Sequence, residues 1–145
     1  MTARNDSYEA VHKAIRNRFL TQWGSKTEIA WPNSFFGPNL GSGAVNPWVK
    51  LEILDSAADE VAFGGDGNNR VRYQGIATVM VFVPLDSGDN KSLEYADEVT
   101  RVFRKFSHPD TGLFFDRPPF IRTIGVTGRW FQVNVLCPFR RDSIQ

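Results

Sequence analysis

The spacing of apolar and polar residues divides the chain into two helices and six strands. Tyr8, Val11, Ile15 and Phe19 recur at i, i+3, i+7 and i+11 and so share one face of a helix, with Lys13, Arg16 and Asn17 opposite. Asp6 and Glu9 have capping-box spacing at its start, and Gly24 stands where it would close. A second helix is predicted over 91–107, with Leu93, Ala96, Val99, Phe103 and Phe106 inward and Glu94, Glu98, Arg101, Arg104 and Lys105 in water. His108, just beyond, is expected to place a cation at the negative end of that helix.

Period-two alternation marks the strands. The first, 29–31, stops at Pro32. In 48–54, Val49, Leu51 and Ile53 face one way and Lys50 and Glu52 the other. The β-branched run 71–83 ends at Pro84, with Gly75 as a candidate bulge. Strands 112–115, 120–126 and 130–137 follow, the last two joined through Thr127-Gly128-Arg129. In the last strand Phe131, Val133, Val135 and Cys137 form the apolar side. Residues 36–47 and 55–70 read as long Gly-rich loops, and RRDSIQ reads as a polar tail. Deleting 57–67 is therefore expected to leave the fold intact. Hairpin connections rather than helical crossovers predict an α+β fold in one domain, 1–145: a single, mostly antiparallel sheet with both helices on its apolar face.

The totals narrow the function. Seventeen basic against sixteen acidic side chains give a net charge of +1, which argues against a dedicated nucleic-acid binder with a basic stripe. One cysteine permits no internal disulfide and fits a reducing compartment. No apolar run is long enough for a membrane span, and MTARNDSYEA lacks the apolar core of a secretory signal, so the chain is expected to be cytosolic as made.

The chemistry of catalysis is missing from the pattern. His12 and His108 lie far apart, and a single Cys adds no zinc-type spacing. GGDGNN contains Asp66 but not the alternating acids and terminal Glu of a calcium loop. Neither FGGDG nor LGSG continues into the Lys-Ser/Thr of a phosphate loop. Cys137, on the apolar side of its strand, reads as core rather than nucleophile. No catalytic, metal or cofactor site is expected, and so no enzyme.

What remains is surface. IAWPNSFFGP, residues 29–38, holds Trp31, Phe35 and Phe36 in a stretch that Pro and Gly keep irregular, and Trp48 stands at the far edge of the loop. Aromatic residues are enriched in interface cores. For Trp31, covering the sheet and contacting a partner are both open readings; Phe36 favours the partner. A cleft that stacks a sugar or a base is a reading of a different class, and it requires a concave aromatic site on a stable monomer.

Taken in order, IAWPNSFFGP, WVKLEIL, RYQGIATVMVFVP, SGDNKSLEYADEVTRVFRKF and GRWFQVNVLCPFRRD resemble the tail terminators and related tail-completion proteins of long-tailed phages and prophages. The resemblance runs over most of the chain. It implies a structural virion protein at the head–tail junction, made in the host cytoplasm, that caps the tail tube as a homohexameric ring. Its implied partners are further copies of itself, possessing no cofactor, together with the tail tube protein and a head completion protein. DNA would pass through the lumen without specific binding. On this reading Trp31, Phe35, Phe36, Trp48, Asp66, Arg70 and Arg72 are the expected subunit or tube contacts. A head-side connector or stopper is the alternative within the same class.

Overall fold

Three fifteen-residue strands carry the fold. A computed structural model describes residues 6–34, 46–62, 70–85, 88 and 90–144. It comprises α1 (Tyr8–Trp23), β1 (Glu28–Ala30), β2 (Trp48–Ala62), β3 (Arg70–Pro84), α2 (Asn90–Phe103), β4 (Ser107–His108), β5 (Leu113–Phe114), β6 (Phe120–Thr127) and β7 (Trp130–Ile144), with a short 3-10 turn at Pro109–Thr111. The sheet runs β1-β2-β3-β7-β5-β4, and β6 joins β7 on the side also used by β5. Every pairing is antiparallel except β1 with β2. The α+β class and the two-helix layer expected from the sequence are thus present.

One sheet face is apolar and covered. Val49, Leu51 and Ile53 of β2, Ala77, Val79, Val81 and Val83 of β3, and Val133, Val135, Cys137 and Phe139 of β7 join a single core with Val11, Ile15, Phe19 and Trp23 of α1 and Ala96, Val99, Val102 and Phe103 of α2. The alternation that predicted these strands is the alternation of this burial. Phe19 stacks on Phe103 at 6.0 Å and on Trp23 at 5.5 Å, while Phe103 meets Phe115 at 5.1 Å. These contacts join the two helices to the end of the sheet. Cys137 is fully buried, and burial pushes its thiol up to about 12. A thiol so placed stays protonated at neutral pH. Ellman's reagent at pH 8 is expected to leave the native chain untouched and to react fully once denaturant is added; rapid native labelling would show that the strand opens.

Several local expectations are corrected. The N-cap of α1 is Ser7, whose side chain accepts from the Ala10 amide, not Asp6. Asp6 instead accepts from the Ile144 amide at the far end of the chain. β2 continues through Ala62, so residues 55–62 are paired strand rather than loop, and deleting 57–67 would remove that pairing. Residues 63–69, like 35–45 of the first predicted loop, lie outside the described residues. RRDSI is not a tail: Arg140 to Ile144 form the end of β7, paired with β3. α2 stops at Phe103, and Lys105 takes a positive φ of 58° before β4 begins. His108 therefore caps no α-helix; its Nδ1 lies 3.1 Å from the Thr111 hydroxyl. Irregularities fall in β2, one between Asp55 and Ala57 opposite Gly75 and another between Glu60 and Ala62. Gly75 has its own constraint, because a Cβ there would stand 2.5 Å from the Phe139 ring and 2.7 Å from the Leu54 carbonyl oxygen.

Candidate functional site: an uncovered sheet edge

β6 is where the fold leaves apolar surface open. It pairs with β7 through 120–127 and, among the described residues, has no strand on its other side. Phe120, Ile121, Ile124 and Val126 are 44, 40, 46 and 69% exposed. The reason is geometric. Ile121 and Val126 are level with Val135 and Phe131 and so point to the helix side of the sheet. α2 lies over β7 and β3, and β6 extends beyond that cover. Unpaired backbone groups and apolar side chains along one edge form a template for another chain. The sequence carries a signal for this beyond the strand itself: FIRTIGV places apolar residues on both faces, the pattern of a strand covered twice.

The face away from the helices carries polar groups interleaved with apolar ones such as Met80 and Leu136. Lys50 bridges to Glu52 at 3.3 Å. Thr127 donates to the Gln132 side-chain oxygen at 2.8 Å, and the Gln132 amide donates to Asn134 at 2.8 Å. At one end of this face Trp48 stacks on Phe82 at 4.1 Å and meets Trp130 edge-on at 5.9 Å. Trp48 and Phe82 are directly opposed across β2 and β3, so the pair also locks register.

The residues singled out from the sequence separate. Trp31 is half-buried, edge-on to Phe19 at 6.3 Å, and lines a shallow groove of about 430 Å³ with Lys13, Arg16, Leu20, Pro32 and Ser34. Trp48 belongs to the aromatic cluster just described. Arg70 is exposed at the start of β3. Arg72 is held by Asp142 through Nε at 2.9 Å and Nη2 at 3.3 Å. That hydrogen bond first, and the Asp142 charge second, raise its guanidinium above its ordinary range. Phe35, Phe36 and Asp66 lie outside the described residues. Arg70 and Arg72 share one face at the start of β3, while Trp48 lies at the opposite end of that strand's pairing with β2 and Trp31 follows β1, so the four do not form one patch.

A second polar group lies beneath α1. Arg141 is only 6% exposed, 3.7 Å from the Asp55 carboxylate and with its guanidinium 3.8 Å over the Tyr73 ring. The His12 ring lies 4.0 Å from that of Tyr8, tilted by 36°. Its burial lowers the imidazole below the usual value; Asp55 opposes this, while Arg16 and Arg141 reinforce it. This half-buried imidazole thus favours its neutral form at the edge of the core. Among the described residues no cluster of three or more His, Cys, Asp or Glu could hold a metal, and no helix is long and apolar enough to cross a membrane.

Set beside known proteins, residues 10–139 match the sequence model of a family described as phage tail terminator protein. No curated protein matches the sequence. Among the solved structures that match, one aligns with a TM-score of 0.65 at 16% identity, over 92% of this chain and 97% of that one. At that identity the likeness is one of fold.

Proposed function

The chain belongs to the phage tail terminator family and is a structural component of the virion tail, and from that membership we propose that it caps the finished tail tube as a closed ring. In that position it ends tube polymerisation and offers the surface on which the filled head docks. The work is done by binding, without a catalytic step. The observation that carries this reading is the family match over nearly the whole chain.

Two features of the molecule support it. A ring is built from heterologous contacts, in which one patch meets a different patch on the next copy. An apolar edge such as β6 supplies one such patch. The face away from the helices, with Lys50 bridged to Glu52 and side-chain amides linked at Gln132 and Asn134, offers few free cations among the described residues to hold phosphate and so suits a wall along which DNA slides. Many unpaired cations would instead bind phosphate tightly.

The test is mass by light scattering, with and without purified tail tubes. A homohexamer, or a monomer that becomes a ring on tube ends, is the expected result. A monomer that ignores tubes overturns the reading.

A further inference from the structure

We propose that the ring closes by sheet extension: β6 of one copy pairs antiparallel with the outer side of β1 of the next. This inference rests on the ring reading above and names the surfaces that would make it.

The register across the sheet sets the two edges level. Ala30, Lys50, Met80, Asn134 and Arg122 form one level across β1, β2, β3, β7 and β6. Ile29, Val49, Val81, Val133 and Thr123 form the next, and Glu28, Trp48, Phe82, Gln132 and Gly125 another. The two edges therefore stand at the same height on opposite sides of the sheet. Among the described residues neither has a strand on its outer side.

Strand direction agrees as well. β1 runs with β2, and three antiparallel steps separate β2 from β6. A rotation about an axis along the strands preserves direction and face. It lays β6 of one copy against an oppositely running β1 of its neighbour, which is the hydrogen-bonding arrangement of an antiparallel pair. Because the two edges differ, the contact is heterologous and can close on itself.

The side chains at that junction complement one another. Arg122 comes level with the neighbour's Ala30 and diagonal to its Glu28; both charged residues are exposed, and diagonal pairs across a ladder lie within reach of long side chains. One step along, Ile121 comes level with the neighbour's Trp31. Both lie on the helix side, Ile121 40% exposed and Trp31 half-buried against Phe19. The contact would thus cover apolar surface that α2 leaves open. It also gives Trp31 both roles that its sequence context allows.

Arg122→Cys and Glu28→Cys, made as separate chains and mixed, test the arrangement. Both positions are exposed, and the buried Cys137 adds no background. The mixture is incubated with tail tubes, treated with a short bismaleimide and run on a denaturing gel, with light scattering in parallel. The expected result is a cross-linked dimer from the mixture and none from either variant alone. A dimer from Arg122→Cys alone would mean two-fold β6–β6 pairing and overturn the proposal. A ring by light scattering without any cross-link overturns the edge assignment and leaves the ring standing. Wild-type protein that forms no ring on tubes overturns both.

Discussion

Phe103→Ala is expected to cost about 3–5 kcal/mol, the range for truncating a buried phenylalanine. Phe103 is fully buried and touches both Phe19 and Phe115, so its ring joins α2 to α1 and to the strand-side wall of the core. The cavity opens between elements rather than within one, where neighbours cannot collapse without moving a helix. Denaturant unfolding at unchanged m-value measures the loss. Leu93→Ala is the control on the same helix. The sequence spacing put Leu93 inward, yet it is 41% exposed, because Ser92, Ala96, Val99 and Phe103 occupy the buried positions. Its truncation should stay within about 0.5 kcal/mol, as for surface substitutions. Equal effects at the two positions would show that the helix presents a different face.

Arg141→Met should cost about 3 kcal/mol, the low end of the range for breaking a buried ion pair, since Asp55 keeps some contact with water. The substitution also removes the stacking over Tyr73 and the bond to the Asp6 carbonyl. Adding Asp55→Asn should recover part of the loss, because the carboxylate left without a partner is then gone. A double variant no better than the single would place the cost in the lost stacking instead. Thermal or urea unfolding of the four proteins in the cycle separates these contributions.

Both positions bear on how much of the molecule is legible in its residues. Phe103 could be placed from spacing alone, since burial on a helix leaves a period and a period survives in a single sequence. The same holds for Val49, Leu51 and Ile53 and for the apolar side of β7. Arg141 could not. It lies in RRDSIQ, where charge suggests solvent, and it is buried because Tyr73, Asp55 and Tyr8 converge on it from far away in the chain. Residues 55–62 failed for a related reason. Their pairing is a backbone ladder to β3, and backbone hydrogen bonds leave little mark on side-chain pattern.

The functional surface divides the same way. The sequence by itself determined two amphipathic helices, an alternating sheet, the α+β class and, through its ordered motifs, the phage tail family. Period and motif order are local or colinear properties, so they needed no coordinates. Only the tertiary structure decided that β6 lies beyond the reach of α2, that its apolar residues are exposed, and that β1 stands level with it on the opposite edge. Those are relations between strands nearly a hundred residues apart, fixed by which ladder forms beside which, and no spacing within either strand encodes them.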